Sequence, residues 1–420
     1  MKAEMHILIL TNYFPPEISG AARLFYELAE SLANEGHRVT VVTGFPRYNM
    51  KKPPPKYRRK LWMCEWMGKV RVIRLWIPPM PRRSLILRGI EHFLAPTVLM
   101  LGGLLSGRQD VIIIYSPPLP LGLSAFVVGL LKRIPFVVNV QDLFPKEAIL
   151  LGLLRNKLLI RLFEAIEKFV YKHAACITVH SPGNRDHIIA QGIAPEKVKV
   201  VYNWVDVQKV TPGERNNWFR EKYGLANKFV VSYAGTMGWC QDMEVIIEAA
   251  DLLKKNEQII FVLVGEGPLK QFVEEEVERR KLHNVVLLPP FPWEQYIDIL
   301  RASDVSMINL NPKLTTPVVP SKLLNIMSCG LPVVASLPPH SDALRIIREA
   351  DCGICVPAGN AKALADAILE VYRNPSQAQR FGDNARKFAL THFAREVCVK
   401  QYERIFQQLI SRGRIRNARS

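Results

Sequence analysis

The first half of the chain alternates short apolar runs with amphipathic stretches. Near-continuous apolar strands separated by helices are typical of a parallel sheet that helices cover on both faces. The pattern therefore predicts a Rossmann-like α/β domain. Its predicted strands are 6–11, 38–43, 111–115, 136–140, 176–180 and 198–202, and its first predicted helix is 21–34.

The same alternation restarts after a polar, turn-rich segment at 206–217. It predicts a second Rossmann-like domain, with a ligand between the two domains at the carboxyl ends of the strands. We expect an N-terminal domain at 1–208, a C-terminal domain at 209–394, and a last segment, 395–420, whose helix can cross back to the first domain. The predicted elements of the second domain are the strands 229–233, 259–264, 285–288, 305–308 and 333–335 and a helix near 242–255.

The segment 315–336, TTPVVPSKLLNIMSCGLPVVAS, predicts a loop, a helix and a buried strand. Pro320 suits the first turn of the helix, and Ser321 suits the N-cap just before or beside it. The free N–H groups at the helix start, together with Lys322, suit a diphosphate. An ordinary helix–strand unit would have the same pattern, so both interpretations stay open.

Glycine-bearing turns follow the first predicted strand of each half. Gly20 precedes the first helix, and Gly235 and Gly238 follow the strand 229–233. Glycine at such positions lets another molecule approach the backbone. Because neither turn has the G-x-G-x-x-G spacing, the sequence disfavours a nicotinamide dehydrogenase. The chain also lacks a P-loop and a D-x-D metal motif.

Composition indicates a globular protein of two or three domains. The chain has 420 residues, 49% hydrophobic and 22% charged residues, and a net charge of +18. Its seven cysteines are scattered and odd in number, as is usual for reduced thiols in a cytosolic protein. The high positive charge requires an anionic partner or surface.

Much of this charge lies in the segment 51–88, which has twelve basic residues and one acid, Glu65. Tyr57, Trp62, Trp66 and Trp76 are interleaved with these cations. Cations beside tryptophans favour the interface of an anionic membrane. The apolar run at 90–105 is too short and too interrupted for a transmembrane helix. The alternatives are a solvated basic loop and nucleic-acid binding, but no nucleic-acid-binding motif accompanies the charge.

Asp142 is the leading candidate for a catalytic ionisable group. It follows the strand 136–140, at the carboxyl end where ligands bind in parallel sheets. Its carboxylate can orient an acceptor hydroxyl, or it can cap the turn at 143–145. Glu147 is a second candidate in the same loop.

An ordered set of motifs along the chain resembles family 4 glycosyltransferases of the GT-B type, close to bacterial enzymes of O-antigen and colanic-acid polysaccharide assembly. Each motif alone is short, and the order over nearly the whole chain carries the resemblance. The motifs are Pro15-Pro16 with Gly20, Gly36-His37-Arg38-Val39, Ser116-Pro117-Pro118, Gln141-Asp142-Leu143-Phe144-Pro145-Lys146-Glu147, Ser181-Pro182-Gly183, Tyr202-Asn203-Trp204-Val205-Asp206, Tyr233-Ala234-Gly235, Val264-Gly265-Glu266-Gly267, Pro320-Ser321-Lys322-Leu323 and Gly330-Leu331-Pro332-Val333.

The resemblance implies two Rossmann-like domains facing across a cleft and transfer of a sugar from a nucleotide-sugar with retained anomeric configuration. No cofactor is expected, because the nucleotide-sugar is a co-substrate. No metal is expected either, because backbone amides at a helix start, aided by one lysine, can stabilise the leaving diphosphate. Within this scheme we assign Asp142 to catalysis, because it follows the strand 136–140, and a set of residues to the donor. The donor set is Gly20, Gly235, Gly238, Ser321, Lys322 and Asn325.

The chain departs from the family pattern at two places. Many relatives have two glutamates eight positions apart where this chain has Pro317 and Asn325. Relatives also often carry an arginine and a lysine after the turn at Gly235, where this chain has no cation. Lys322 and the helix start are therefore left to hold the diphosphate, and Asn325 can hydrogen-bond sugar hydroxyls.

The expected acceptor is lipid-linked or a saccharide, and the expected location is the cytoplasm, peripherally on the inner face of the plasma membrane. An anionic membrane surface is an expected partner and nucleic acid is not. Two other functions remain open: a GT-B sugar-nucleotide epimerase and a non-catalytic membrane-binding module.

Overall fold

The chain forms two separate sheets, one mainly parallel and one fully parallel. The computed structural model describes residues 3–17, 19–46, 54–78, 85–150 and 152–417, and for 85–91 and 414–417 it describes the backbone alone. The chain divides into unit 1, Met1–Val201 with Val399–Ser420, and unit 2, Tyr202–Cys398. The two sheets confirm the predicted fold class of two Rossmann-like α/β domains.

Unit 1 has an eight-stranded sheet in the order β3-β4-β2-β1-β5-β6-β7-β8. All neighbours are parallel except β3 and β4, which form an antiparallel pair. The strands are β1 His6–Leu10, β2 Arg38–Gly44, β3 Trp62–Met67, β4 Val70–Leu75, β5 Val111–Ser116, β6 Phe136–Val140, β7 Cys176–Val179 and β8 Val198–Val200. The helices are α1 Gly20–Asn34, α2 Leu85–Leu105, α3 Leu121–Lys132, α4 Lys146–Leu150, α5 Lys157–His173 and α6 Pro182–Ala190.

Unit 2 has a six-stranded parallel sheet in the order β11-β10-β9-β12-β13-β14. The strands are β9 Phe229–Ala234, β10 Ile259–Val264, β11 Val285–Leu288, β12 Val305–Asn309, β13 Val333–Leu337 and β14 Gly353–Pro357. The helices are α7 Trp218–Lys222, α8 Met243–Leu253, α9 Lys270–Arg279, α10 Trp293–Arg301, α11 Ser321–Ser328, α12 Asp342–Ala350, α13 Ala361–Arg373, α14 Pro375–Phe388 and α15 Arg395–Asn417.

The hairpin β3–β4 was not predicted, because the segment 51–88 was interpreted as a basic surface insertion. β3 alternates exposed and partly buried residues, as an edge strand with one covered face does. Arg74 on β4 is fully buried and pairs with Glu65. The expectation that Arg74 belongs to a basic surface is therefore wrong, because its charge is neutralised inside the unit.

Other cations of the same segment lie outside the described residues. These are Lys51, Lys52, Arg82 and Arg83, and the side chain of Arg88 is not described either.

The C-terminal helix α15 packs on the sheet of unit 1 from Val399 onward. The amide of Asn139 on β6 donates a 2.7 Å hydrogen bond to the hydroxyl of Tyr402. His37 and Glu403 are both buried, and Nε2 of the histidine lies 3.2 Å from Oε1 of the glutamate. These buried polar contacts fix the helix against the sheet, since leaving any one partner unsatisfied would be costly.

Candidate functional site

The sheet of unit 2 has the strand order of a dinucleotide-binding fold. Counting its strands along the chain gives 3-2-1-4-5-6, with the order reversing between β9 and β12. Ligands of open parallel sheets bind at this reversal, beyond the carboxyl ends of the strands. The loop after β9 and the segment that leads from β12 into α11 therefore define the candidate site of unit 2.

The loop after β9 is held by the loop after β10. The amide of Gly235 donates to the carbonyl of Val264 at 2.9 Å, and the amide of Met237 donates to the carbonyl of Glu266 at 2.9 Å. A Cβ atom at Gly265 would overlap the carbonyl oxygen of Gly235. Gly265 is thus required by close backbone packing, a role that sequence reasoning missed.

Helix α11 begins at Ser321, and Pro320 takes the N-cap position. The predicted N-cap role of Ser321 is therefore wrong, because proline occupies that position with extended backbone and Ser321 is the first helical residue. The predicted helix and the following strand β13 are confirmed. The first turn of α11 has no acidic residue, so its N–H groups are not opposed by a nearby carboxylate of the helix.

Lys322 reaches back to the loop after β9. Its ammonium donates a 2.7 Å hydrogen bond to the hydroxyl of Tyr233 and lies 3.9 Å from the centre of that ring. A Cβ atom at Gly235 would lie 3.2 Å from the same ammonium. The structure thus brings the predicted residues Gly235 and Lys322 together, and it adds Tyr233, which was not predicted.

The environment of Lys322 disfavours its charge. Burial lowers the pKa of the ammonium from 10.5 to about 7. No carboxylate forms an ion pair with Lys322 among the described residues. A bound anion would supply the missing counter-charge, so this lysine is suited to an anionic ligand.

Asn325 lies one helical turn after Lys322, on a neighbouring part of the helix surface. Its amide contacts the hydroxyl of Tyr296 at 3.5 Å, and Tyr296 stacks on Trp293 with ring centres 5.3 Å apart. This contact is at the limit of hydrogen-bond distance. The amide is therefore supported on one side by an aromatic pair.

Gly238 lies at the end of the loop that begins with Gly235. Its amide donates to the side-chain oxygen of Gln241 at 3.1 Å, and a Cβ atom on Gly238 would lie at the same distance from that oxygen. The side chain of Gln241 thus closes the turn. Gly235 and Gly238 therefore belong to the same loop of unit 2, the one that follows β9.

In unit 1, Gly20 is the first residue of α1. The side chain of Ser19 caps this helix by accepting a hydrogen bond from the amide of Ala22. A Cβ atom at Gly20 would meet nothing within 4 Å. The glycine therefore faces open space and is not required by internal packing.

Asp142 lies just beyond the carboxyl end of β6. The residue is exposed to solvent at the surface, but protein atoms lie on most sides of its carboxyl group. The resulting loss of hydration raises the pKa of that group. The carboxylate of Glu147 accepts a 3.4 Å hydrogen bond from the amide of Leu143, whereas no hydrogen bond to the Asp142 carboxylate is found among the described residues. The turn-capping role considered for Asp142 therefore belongs to Glu147.

Glu147 shares the electrostatic environment of Asp142. Burial, followed by the negative charge of Asp142, raises the pKa of Glu147 to about 7. Such neighbouring acids with raised pKa values are common at functional sites. The structure thus places two acids at this strand end in unit 1.

Within the part of the chain that the structure describes, no group of three or more histidine, cysteine or acidic side chains could hold a metal ion. No described helix is long and apolar enough to cross a bilayer.

Two family models together cover most of the chain. The model of the glycosyl transferase 4-like domain matches residues 19–204, and the model of glycosyl transferases group 1 matches residues 215–388. The first match covers β2 to β8 of the unit 1 sheet, and the second covers all six strands of the unit 2 sheet. They are consistent with the motif order along the sequence.

Among curated proteins, the chain is 25% identical over 408 residues to an Escherichia coli K12 protein named as a colanic acid biosynthesis glycosyl transferase, WcaI. The match covers 95% of this chain and 98% of the relative. The chain is also 23% identical to the GDP-mannose-dependent alpha-mannosyltransferase of Mycobacterium tuberculosis, over 94% of each chain.

Among solved structures, the chain resembles HepE of Anabaena, which was crystallised in complex with UDP. The two share 19% identity with a TM-score of 0.71, and the match covers 96% of this chain and 100% of HepE. The chain also resembles WaaG, a glycosyltransferase involved in lipopolysaccharide biosynthesis. The TM-score is 0.64 at 15% identity, and the match covers 96% of this chain and 99% of WaaG. These likenesses show that the fold is GT-B.

Proposed function

The chain belongs to the family 4 glycosyltransferases with the GT-B fold, and from that premise we propose that it is a retaining, metal-independent enzyme. It moves a sugar from a nucleotide-sugar to a lipid-linked or saccharide acceptor during assembly of a cell-envelope polysaccharide. The observation that carries the proposal is the contact of Lys322 with Tyr233 and Gly235 at the strand-order reversal of unit 2.

The proposed diphosphate site combines one ammonium with backbone N–H groups. Lys322 and the first turn of α11, beginning at Ser321, supply positive charge and hydrogen-bond donors to the β-phosphate. Pre-organised donors stabilise a leaving group without reorganisation during the reaction. Gly235 and Gly238 leave room for the donor, and Asn325 hydrogen-bonds ribose or sugar hydroxyls.

In the proposed reaction the bond between the anomeric carbon and the diphosphate oxygen breaks, and a nucleoside diphosphate leaves. The acceptor oxygen forms its bond to the anomeric carbon on the face that the diphosphate leaves. The acceptor proton passes to the leaving diphosphate. Under this scheme no separate base is required, and the configuration at the anomeric carbon is retained.

Asp142 is proposed to orient the acceptor hydroxyl. Its carboxylate is accessible to solvent and follows β6. Gly20 leaves open space at the start of α1 for a ligand to approach. We further propose that transfer takes place in the cytoplasm at the inner face of the plasma membrane, where a lipid-linked acceptor is available.

The first test is ligand-induced stabilisation by UDP, GDP or TDP. A ligand at 100 times its dissociation constant adds about 2.7 kcal/mol to the free energy of unfolding. We expect one nucleotide to raise the melting temperature of the wild type and to have little effect on Lys322→Ala. Lys362→Ala is the matched control, because Lys362 is an exposed lysine of unit 2 that pairs with Asp366.

The second test follows the sugar. Incubating the enzyme with the nucleotide-sugar and a membrane extract from the source should give a glycosylated product with retained configuration by NMR. A product that forms without any acceptor, with an epimerised sugar, would instead indicate an epimerase. Lipid binding without nucleotide affinity would indicate a non-catalytic module.

A further inference from the structure

Exposed apolar side chains are concentrated in unit 1. Among the described residues, seventeen large apolar side chains are exposed, of which fourteen belong to unit 1 and three, Trp239, Leu252 and Leu390, belong to unit 2. Scattered exposed leucines are ordinary on a protein surface, whereas a contiguous group marks an interaction site. Whether the fourteen side chains of unit 1 form an interaction site therefore depends on whether they lie next to one another.

Helices α2, α3 and α5 cover one face of the unit 1 sheet. Their connections run from β4 to β5, β5 to β6 and β6 to β7, always in the same direction across the sheet. Right-handed crossovers therefore place all three helices on the same face. Contacts agree: the hydroxyl of Ser124 donates to the carbonyl of Pro96 at 2.8 Å, and the rings of Phe126 and Phe169 lie 5.0 Å apart.

The outward half of α5 carries two parallel stripes. Leu158, Leu162, Ala165 and Phe169 are spaced by four, three and four residues and form an exposed, mainly apolar stripe. Leu158 is 73% exposed and Leu162 is 45% exposed. The core side of the same helix is occupied by a separate set of residues, namely Phe163, Ile166 and Val170.

The second stripe of α5 is cationic and adjoins the apolar one. Lys157, Arg161, Lys168 and Lys172 are spaced by four, seven and four residues, and all four are exposed. Glu164 is the one exposed acid of this helix. An apolar stripe beside a row of lysine and arginine is typical of a helix that lies in the surface of an anionic membrane.

The neighbouring elements extend the apolar surface. Leu105 on α2 is 84% exposed and Leu130 on α3 is 65% exposed. Trp62 on β3 is 67% exposed and lies opposite Leu75 in the antiparallel register, so both side chains point to one face. Leu75 packs on Gly102 of α2, which places that tryptophan on the same side of the sheet as the helices.

On the premise of the membrane-side transfer proposed above, we propose that this helical face, the outward surface of α2, α3 and α5, docks onto an anionic lipid bilayer. The leucines and Phe169 enter the interfacial region, and the cationic stripe of α5 contacts the lipid phosphates. In this proposal the main membrane contact is made by α5 and not by the segment 51–88, in which Arg74 is paired with Glu65 inside the unit.

Charge and shape favour a bilayer over other occupants. A nucleic acid would use the cations but would leave the leucine stripe exposed to water. A two-fold contact with a second copy would bring the cationic stripes of two helices together, and like charges in an interface are unfavourable. A bilayer that contains anionic lipid accommodates both stripes at once.

Vesicle flotation tests the docking. The purified full chain is mixed with phosphatidylcholine vesicles made with or without phosphatidylglycerol, at low and high salt. We expect flotation only with the anionic lipid and less of it at high salt. Lys157→Glu with Arg161→Glu should weaken binding by at least about tenfold, since each cation near the surface contributes substantially.

A second pair of substitutions separates the apolar contribution. Leu158→Ser with Leu162→Ser should also weaken binding by about tenfold, with less effect on its salt dependence. The matched control is Leu252→Ser, because Leu252 is 54% exposed but lies on α8 of unit 2. Each variant is checked for an unchanged melting temperature and an unchanged response to nucleotide, which keeps failure of docking distinct from failure of the transferase proposal.

Four outcomes would overturn the docking. Three of them are no flotation of the wild type with anionic vesicles at low salt, full flotation of both α5 double variants, and equal loss of flotation in the Leu252 control. A fourth is a change from dimer to monomer in the leucine variant with vesicle binding retained, since the face would then be an interface between copies.

Discussion

The ammonium of Lys322 and the hydroxyl of Tyr233 are joined by a hydrogen bond of 2.7 Å between α11 and the end of β9. The same hydroxyl donates to the carbonyl of Thr236 in the loop that contains Gly235. Tyr233 thus links the lysine to the loop after β9. Because the tyrosine is buried, it fixes the position of the ammonium relative to that loop.

Tyr233→Phe should weaken nucleotide binding about two- to tenfold, because one hydrogen bond contributes about 0.5–1.5 kcal/mol. The residue acts by positioning Lys322, so we expect a larger change in KM for the nucleotide-sugar than in kcat. Steady-state kinetics and calorimetric titration of the nucleotide measure the two effects. Tyr372→Phe on α13 is the control, and an equal loss in that variant would remove the special role of Tyr233.

Nucleotide affinity should fall as the pH rises above 7. The pKa of Lys322 is lowered to about 7 in the free protein, so the ammonium loses its proton above that pH. A bound diphosphate stabilises the charged form, so binding above pH 7 requires uptake of one proton. The dissociation constant should rise about tenfold per pH unit between pH 7.5 and 9. Lys322→Arg should bind with little pH dependence in this range, because arginine stays charged.

Replacing Lys322 by methionine should stabilise unit 2 while abolishing transfer. The pKa of this lysine is 10.5 in the unfolded chain and about 7 in the folded chain. Burial of the ammonium therefore lowers the free energy of unfolding at pH 7 and below, and this loss shrinks as the pH rises towards 10.5. Methionine removes this penalty, and we expect a melting temperature about 2–4 °C higher at pH 7. Differential scanning calorimetry measures it. A lower melting temperature would mean that the ammonium contributes to stability through its contact with Tyr233.

Gly20→Ala separates a ligand role from a structural role. Because a Cβ atom at this position meets nothing within 4 Å, we expect unchanged stability or a gain of up to about 1 kcal/mol in a helix. We also expect reduced transfer, since the added methyl group occupies the space proposed for a ligand. Urea unfolding measures the stability of the variant, and a transfer assay measures its activity. Full activity of the variant would show that the ligand does not approach Gly20.

The strand–helix alternation was sufficient to predict six of the eight strands of unit 1 and five of the six strands of unit 2, because a fully apolar strand such as β10 has few alternatives to burial in a parallel sheet. The position of Lys322 at a helix start was also readable from the sequence. The role of Tyr233 was not, because its contact with Lys322 joins residues 89 positions apart. Nothing local in an apolar strand distinguishes a tyrosine that packs from one that positions a lysine.

The hairpin β3–β4 was missed for a different reason. Its strands carry tryptophan, arginine and glutamate, so the apolar signal is diluted by charge. Charge neutralisation inside the unit depends on Glu65 and Arg74 lying across the hairpin, nine positions apart, which requires the hairpin to exist first. Net charge of the segment alone could not reveal that one of its cations is internal.

The pair of Glu65 and Arg74 gives a direct test of that burial. Glu65→Gln leaves the fully buried guanidinium without its carboxylate, and we expect a loss of about 3 kcal/mol in the free energy of unfolding. The other hydrogen bonds of Arg74 go to the carbonyls of Pro15 and Gly44 and to the sulfur of Met67, and these neutral acceptors cannot replace a counter-charge. Urea denaturation measures the loss, and Glu4→Gln is the control because its pair with Arg38 is exposed. A loss as small as that of the control would mean that Arg74 reaches solvent.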